Sequence, residues 1–177
     1  MEKELSYAVY ESPLGWLILT HSGAGLSRLD LSPHGPDRAR DFQRQGLEKR
    51  FGPVHLVRDE TRLKEALAWL DRYFDNPQKS LPYRGKFDAG GTVFQRKVWL
   101  HLAQIPSGHT ETYGQVARAV GRPAASRAVG QACGANPIPL IVPCHRVVAT
   151  GGGLGGFGLG LDLKRRMLDL EGWHPGK

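Results

Sequence analysis

The fold of this chain is decided by residues 112–146, TYGQVARAVGRPAASRAVGQACGANPIPLIVPCHR. Thr112 and Gln115 have the spacing of a capping box, which predicts the start of a helix, and the glycine and proline at residues 121–123 end it. A second helix is expected over residues 124–134. Two short helices joined through a glycine turn form a helix-turn-helix, which is typical of DNA-binding proteins but also occurs in proteins that bind no DNA.

The same stretch ends in Pro143-Cys144-His145-Arg146, which follows a turn at Asn136-Pro137 and an apolar run over residues 139–142. A cysteine in apolar surroundings is most often an inert small hydrophobic residue. An adjacent imidazole and guanidinium favour the other interpretation, a nucleophile, because positive charge and a proton acceptor both help a thiol to ionise.

The imidazole of His145 needs a route to the sulfur and a partner that orients it. Consecutive side chains of an extended chain point to opposite faces, so the ring reaches Cys144 only through a bend or a bridging water. Glu171 supplies a carboxylate from the last predicted helix. Such a Cys-His-Glu relay predicts a thiolate near neutral pH, and taken alone it fits a cysteine protease or an acyltransferase equally well.

The positive charge of the chain is concentrated in its C-terminal half. Of the net charge of +7, residues 1–83 contribute nothing, with 12 Lys/Arg against 12 Asp/Glu, whereas residues 84–177 carry 12 against 5. Between Thr92 and Thr150 the only acidic residue is Glu111. One basic half indicates a phosphate-binding surface, and the alternative is a solvated basic face without a partner.

The first third of the chain predicts a small sheet followed by helices. Strands are expected over residues 5–11, 16–20 and 26–31, because these apolar segments are separated by turns rich in glycine. Helices are expected over residues 37–50 and 59–74, the second with leucines at helical spacing.

The second part of the chain is predicted to be mostly helical. Thr92 and Gln95 form another capping box, residues 146–149 form a short buried strand, and residues 161–171 close the chain as a helix. Residues 150–160 hold seven glycines in eleven positions. They lack the Gly-Lys-Ser/Thr end of a phosphate loop, so they fit either close backbone approach to a ligand or a flexible hairpin.

These elements give two domains and a fold class. The stretch 76–91 contains two prolines and three glycines without a helix or strand period, so the linker lies within it. We predict an N-terminal domain over 1–80, a linker over 81–91 and an active domain over 92–177. The fold is predicted to be α/β: a small antiparallel sheet with helices first, then a mostly helical domain with the helix-turn-helix and a short buried strand carrying the cysteine.

Cysteine content and the N-terminal sequence bound the compartment. Cys133 and Cys144 are too few for a disulfide framework or a closed zinc site, which favours a reduced intracellular protein. Residues 1–4 are charged and lack the apolar stretch of a signal peptide, and no run approaches the ~18 apolar residues of a membrane span. We expect no membrane partner and a cytoplasmic location, or a nuclear one in a eukaryote.

The segment from Thr92 to Trp173 resembles the active domain of the methylated-DNA–protein-cysteine methyltransferases, the O6-alkylguanine-DNA alkyltransferase family. About half of the chain is covered, and the cysteine motif is highly specific. The matching motifs are Phe94-Gln95-x-x-Val98-Trp99, Ile105-Pro106-x-Gly108, Thr112-Tyr113-Gly114, Ala125-x-Arg127-Ala128-Val129-Gly130, Ala135-Asn136-Pro137, Val142-Pro143-Cys144-His145-Arg146-Val147-Val148, Gly155-Gly156-Phe157 and Gly160-Leu161-x-x-Lys164.

The resemblance implies a catalytic group. Cys144 accepts the alkyl group from guanine O6 by in-line displacement, with His145 as a water-mediated base oriented by Glu171. Tyr113 hydrogen-bonds guanine N3, and Asn136 braces the turn that carries the cysteine. The thioether has no easy exit, so the reaction is expected to be stoichiometric and irreversible, without a cofactor and without turnover. Weak activity on O4-methylthymine is also expected.

The resemblance further implies how DNA and the damaged base are bound. Arg127 enters the base stack in place of a nucleotide flipped out of double-stranded DNA, and its alternative role is a phosphate contact. The rest of the DNA-binding surface is expected at Thr112, Ala125, Ser126, Ala128 and Gly130. The carbonyls of Cys144 and Val147 accept from the guanine amino group, and the Gly158 amide faces O6. The protein is expected to act as a monomer.

Some positions depart from the family pattern. Phe157 replaces a common tyrosine and so removes a hydroxyl near the substrate pocket. Leu159 lies at the pocket mouth, where it is expected to narrow access for large O6 groups such as benzyl. Some relatives bind zinc through cysteines of the N-terminal domain, and because both cysteines lie elsewhere here, no metal is expected. The main alternative function is a DNA-binding protein that flags alkylated bases without reacting with them.

Overall fold

The computed structural model describes residues 2–174 and divides into two compact units. The first unit comprises the chain up to Phe74 together with Tyr83–Gly90, and the second comprises Asp75–Pro82 and the chain from Gly91 onward. The α/β architecture, with a sheet unit followed by a mostly helical unit, confirms the predicted fold class. No helix within residues 2–174 has the length and apolar character needed to cross a membrane.

The first unit is built on a four-stranded sheet in the order β3-β2-β1-β4. Its strands are β1 (Lys3–Ser12), β2 (Gly15–His21), β3 (Leu26–Ser32) and β4 (Val54–Arg58). The first three pair antiparallel as predicted, with Ala8 opposite Leu19 and Leu17 opposite Leu31. Strand β4 was missed, and because it pairs parallel to β1 the sheet is mixed rather than purely antiparallel.

Two helices accompany this sheet, α1 (Pro36–Phe51) and α2 (Lys64–Asp75), the latter preceded by a 3-10 turn at Thr61–Leu63. Helix α1 supplies the crossover that a parallel β1–β4 pair requires. Its buried Gln43 fixes it to the sheet, because the side-chain amide donates to the Ile18 carbonyl at 2.7 Å and accepts from Thr20 Oγ1 at 2.8 Å.

The two units share the segment that was predicted to be the linker, residues 81–91. Residues 83–90 belong to the first unit, where the Leu26 amide donates to the Lys86 carbonyl at 2.9 Å and the Asp88 amide donates to the Leu26 carbonyl at 2.8 Å. Residues 75–80, assigned to the N-terminal domain, belong to the second unit. Proline and glycine marked an irregular segment correctly, but they do not show that irregular backbone pairs with a strand.

The second unit contains four helices and two very short strands among its described residues. The helices are α3 (Val93–Leu102), α4 (Tyr113–Ala119), α5 (Ser126–Gly134) and α6 (Leu161–Leu170), and the strands are β5 (Glu111–Thr112) and β6 (Val147–Val148). Both predicted capping boxes are present, at Thr92 with Gln95 and at Thr112 with Gln115. Helices α4 and α5 pack on each other as the predicted helix-turn-helix.

The cysteine lies just before the short strand rather than on it. Cys144–Arg146 form a single 3-10 turn, and β6 follows directly. Strand β6 pairs parallel with β5, so that Thr112 is opposite Val148. Since Thr112 is the residue that caps α4, this pairing brings the start of the helix-turn-helix beside the cysteine turn.

Candidate active site

The turn that carries Cys144 is held from behind by Asn136. The side-chain nitrogen of Asn136 donates to the Val142 carbonyl at 2.8 Å, and its side-chain oxygen accepts from the backbone amide of Ile138 at 3.0 Å. The Cys144 amide donates to the same Val142 carbonyl at 2.8 Å. One asparagine therefore connects the end of α5 to the backbone of the cysteine, in the bracing position that the sequence predicted.

Cys144 is buried, with 5% of its surface exposed. Burial raises the pKa of the Cys144 thiol, and the opposing influences, the Asn136 amide and the positive charge of Lys164, do not outweigh it. The direction of this shift favours a neutral thiol in the free protein, whereas the Cys-His-Glu relay predicts a thiolate near neutral pH. The physical reason is desolvation, which disfavours the charged form and depends on tertiary packing rather than on the neighbours along the chain.

His145 and Glu171 form the predicted contact inside the protein. His145 Nε2 lies 2.9 Å from Glu171 Oε1, and both side chains are fully buried. Burial lowers the pKa of His145, so the ring is neutral. Glu171 is an ionised acceptor, because the His145 and Arg146 partners hold the pKa of its carboxyl far below the ordinary value despite the burial. The hydrogen therefore sits on Nε2, and Nδ1 is the basic nitrogen.

Arg146 shares this carboxylate. Its Nε donates to Glu171 Oε2 at 2.9 Å and its Nη2 donates to Oε1 at 2.8 Å, while Nη1 donates to the Ile105 carbonyl at 2.5 Å. The 3-10 turn makes this possible, because consecutive side chains in such a turn are separated by a third of a rotation rather than pointing to opposite faces.

Lys164 is fully buried, and it lies on the core face of α6 with Met167 and Leu168. Its ammonium donates to the Val147 carbonyl at 2.6 Å and to the Gly156 carbonyl at 3.2 Å. Burial lowers the pKa of this lysine, and the two cysteines partly offset that effect. The lysine thus connects the strand after the cysteine to the glycine-rich segment.

Tyr113 is the first residue of α4 and faces that same segment. Its hydroxyl donates to the Gly156 carbonyl at 3.4 Å, and burial raises its pKa, so the phenol is protonated. Gly155 has φ of 70°, and a Cβ there would lie 2.8 Å from the tyrosine hydroxyl. Glycine at 155 therefore allows the segment to approach the Tyr113 side chain closely, and this contact within the protein leaves both interpretations of the glycine-rich segment open.

The predicted DNA-contacting residues lie on the helix-turn-helix. Arg127 is exposed on the first turn of α5, next to Ser126 and Ala128. Ala125 is the N-cap residue of α5, and Thr112 caps α4. Gly130 is partly exposed on α5, and a Cβ there would lie 3.7 Å from the Tyr113 ring.

Three of the four residues expected at the substrate pocket, Phe157, Gly158 and Leu159, lie within the glycine-rich segment, and the fourth, Val147, lies in β6. Val147 is fully buried, Phe157 is half-buried with its ring centroid 5.9 Å from Lys164 Nζ, and Gly158 and Leu159 are exposed. From the sequence, Arg146 was expected only to supply positive charge near the thiol, and neither its contact with Glu171 nor a role for Lys164 was predicted. For Lys164 a signal was present, because a lysine at the spacing of the apolar residues of a helix indicates a buried charge. For Arg146 the turn geometry was needed.

Comparison with known proteins identifies the family of the chain. The model of the 6-O-methylguanine DNA methyltransferase ribonuclease-like domain matches residues 5–82, and that of the DNA-binding domain of the same protein matches residues 93–173. The methylated-DNA–protein-cysteine methyltransferase of Methanosarcina acetivorans is 40% identical over 166 residues, covering 94% of this chain and 97% of that protein. Its Mycobacterium tuberculosis counterpart is 37% identical over 169 residues, covering 94% and 92%.

Solved structures extend the likeness to the fold. The crystal structure of Mycobacterium tuberculosis O6-methylguanine methyltransferase has a TM-score of 0.74 and 33% identity, covering 98% of this chain and 96% of that one. Mycobacterium tuberculosis OGT in complex with DNA also has a TM-score of 0.74, with 36% identity over 94% of this chain and 93% of that one. This chain therefore belongs to the 6-O-methylguanine DNA methyltransferase family, the methylated-DNA–protein-cysteine methyltransferases.

Proposed function

We propose that this protein repairs DNA by transferring the alkyl group of O6-alkylguanine to Cys144 in one irreversible step. The observation that carries the proposal is the buried group around the cysteine: a thiol of raised pKa on a braced turn, followed by an imidazole whose Nε2 is held by an ionised carboxylate 2.9 Å away. This arrangement leaves the other ring nitrogen, His145 Nδ1, as a base. Among the described residues, Nδ1 is the one fully buried side-chain nitrogen or oxygen without a protein partner.

The transfer requires one proton movement and one exchange of bonds. The thiol proton passes to His145 Nδ1 through a water, since Nδ1 makes no hydrogen bond to the sulfur. The sulfur electron pair forms the new S–C bond while the C–O6 bond breaks and leaves its electrons on guanine. The guanine anion then takes up a proton and His145 gives up the one that it received, so no net charge remains. Because burial raises the pKa of the thiol in the free protein, deprotonation is assigned to the reaction itself. The nearby ammonium of Lys164 lowers the free energy of the developing thiolate.

Tyr113 stabilises the negative charge that develops on guanine. A protonated phenol can donate to N3 of the leaving base, and the 3.4 Å length of its bond to the Gly156 carbonyl indicates a weak interaction that substrate can replace. Guanine itself is recognised by backbone groups, the Cys144 and Val147 carbonyls and the Gly158 amide. The Val147 carbonyl already accepts from Lys164, but a carbonyl oxygen has a second lone pair for the guanine amino group.

The damaged nucleotide must leave the helix to reach a buried sulfur. With 5% of Cys144 exposed, an alkyl carbon cannot reach the sulfur while its base stays stacked in duplex DNA. Arg127 is exposed at the start of α5 and is the side chain suited to fill the resulting gap. The small residues Ala125, Ser126 and Ala128 around it let the helix approach the groove closely, and Thr112 contributes from the cap of α4.

The product sets the limits of the reaction. A thioether carbon–sulfur bond has no low-barrier route to hydrolysis, so each protein molecule reacts once and needs no cofactor.

The substrate range is limited by Leu159, which is 42% exposed in the glycine-rich segment and restricts large O6 groups. O4-methylthymine is a weak second substrate. The protein acts as a monomer on double-stranded DNA, in the cytoplasm or, in a eukaryote, in the nucleus.

A stoichiometry experiment tests this function. A duplex oligonucleotide with one O6-methylguanine is mixed with increasing protein, and restored guanine is counted by chromatography. We expect one guanine restored per protein molecule, no restoration by Cys144→Ala, and full restoration by the matched variant Cys133→Ala. Repeated turnover would contradict the irreversible step, and tight binding of the damaged duplex without any restored guanine would favour a protein that flags damage.

A further inference from the structure

Arg146 is buried next to the reacting cysteine turn, but it has no role in the proposed reaction as described so far. Its side chain is 5% exposed and the Glu171 side chain that it contacts is 2% exposed. Arginine and glutamate are rarely buried so completely unless they are paired. Here the pair is bidentate, with N–O distances of 2.9 and 2.8 Å, and a third donor holds the Ile105 carbonyl. All three nitrogens of the guanidinium are thus engaged.

Arg146 and His145 both contact the same carboxylate oxygen of Glu171. Glu171 Oε1 accepts from Arg146 Nη2 at 2.8 Å and lies 2.9 Å from His145 Nε2, whereas Oε2 accepts from Arg146 Nε. The carboxylate plane is fixed by the arginine fork, because two parallel donors leave it no freedom to rotate. The position of the His145 ring, which depends on Oε1, follows from that fixed plane.

We infer that Arg146 is a positioning residue of the transfer reaction: its guanidinium holds the Glu171 carboxylate so that His145 keeps its hydrogen on Nε2 and accepts the thiol proton on Nδ1. This inference rests on the proposed function. Arg146 does not touch the sulfur or the substrate in this account, and it acts only through Glu171.

The electrostatic consequence has a definite sign. A histidine paired with a carboxylate alone becomes easier to protonate, and a protonated ring cannot accept a proton from the thiol. Arg146 opposes this effect, since its charge lowers the pKa of His145 in the same direction as burial does. The other groups acting on the ring are Glu171, which raises its pKa, and Lys164 of α6, which lowers it. Helix α3 also packs on the turn, and its His101 is held by Glu111 at 2.7 Å.

The test is the pH dependence of the single-turnover rate on a duplex with one O6-methylguanine, measured at saturating protein. In Arg146→Gln the loss of the charge raises the pKa of His145, so the acid limb of the profile moves to higher pH. We expect a shift of at least about one pH unit, the scale on which a nearby charge moves a pKa. Arg165→Gln, which removes an exposed charge from α6, is the matched control and should leave the limb in place.

Arg146→Lys separates charge from geometry. Lysine keeps the positive charge but cannot donate to both carboxylate oxygens, so its acid limb should stay closer to that of the wild type while the plateau rate falls. If the glutamine variant does not fold, the lysine variant carries the test, and a lysine variant equal to the wild type at every pH overturns the inference.

The outcomes distinguish this inference from the function beneath it. A wild-type protein that does not react at any pH overturns the proposed function and the role of Arg146 with it. A reactive wild type and an Arg146→Gln variant slowed equally at all pH values, with an unmoved acid limb, overturn the role of Arg146 alone.

Discussion

Replacing Asn136 by alanine tests whether the cysteine turn depends on the side chain behind it. The substitution removes a 2.8 Å bond to the Val142 carbonyl and a 3.0 Å bond from the Ile138 amide. Val142 keeps a second partner, the Cys144 amide, but the Ile138 amide belongs to a fully buried residue and loses its acceptor. One lost hydrogen bond and one unsatisfied buried group together cost about 2–4 kcal/mol.

For a chain of this length that loss lowers the melting temperature by about 5–15 °C. Thermal unfolding by circular dichroism measures it, and Asn76→Ala, which alters an exposed asparagine of the same unit, is the matched control. The single-turnover rate should fall as well, because Val142 also positions the Cys144 backbone. An Asn136→Ala protein that melts within about 1 °C of the Asn76→Ala protein would show that the turn holds its shape without this side chain.

The remaining predictions concern the carboxylate, the glycine-rich segment and the recognition helix. Because the pKa of Glu171 is depressed, the stabilisation from its pairing is present above its ordinary pKa of 4.5 and is lost as the pH falls below that value. Glu171→Gln should lower the free energy of unfolding by about 3–5 kcal/mol at pH 7. In urea unfolding, the stability of this variant should also depend less on pH in the acid range. Gly155→Ala should slow transfer, because the new methyl group displaces Tyr113. The matched control is Gly152→Ala, where φ is 88° and no atom lies within 4 Å of the added Cβ. Both substitutions impose the same backbone strain of about 1–2 kcal/mol, and the control should leave the rate unchanged. Arg127→Ala should slow repair of duplex DNA by at least about tenfold, since unstacking a base costs a few kcal/mol, yet react normally with free O6-methylguanine; equal losses on both substrates would contradict its place in the base stack.

Local signals in the sequence were sufficient for most of the helical unit. Both capping boxes lie where the Thr-x-x-Gln spacing predicts them. The helix-turn-helix begins at the second box and ends before the cysteine. The contact between His145 and Glu171 could also be predicted, because an imidazole beside a nucleophile needs a carboxylate and the last helix offers one. These features depend on residues a few positions apart or on a simple chemical requirement.

Features that depend on tertiary packing could not be predicted in the same way. Strand β4 has five residues and no alternation that distinguishes it from a loop, and its place beside β1 comes from the crossover through α1. The raised pKa of Cys144 arises from burial, which a motif does not reveal. The fork between Arg146 and Glu171 requires the 3-10 turn, whereas the sequence left open whether this segment is extended or bent.

The central claim is that one particular sulfur, Cys144, receives the alkyl group. Peptide mapping by mass spectrometry after reaction with an O6-methylguanine duplex tests it directly, because the chain contains a second thiol, Cys133, as an internal control. Cys133 lies on α5 rather than on the turn with His145, so it should stay unmodified while the Cys144 peptide gains one methyl group. A methyl group on Cys133, or guanine restored with both thiols unmodified, would contradict the account.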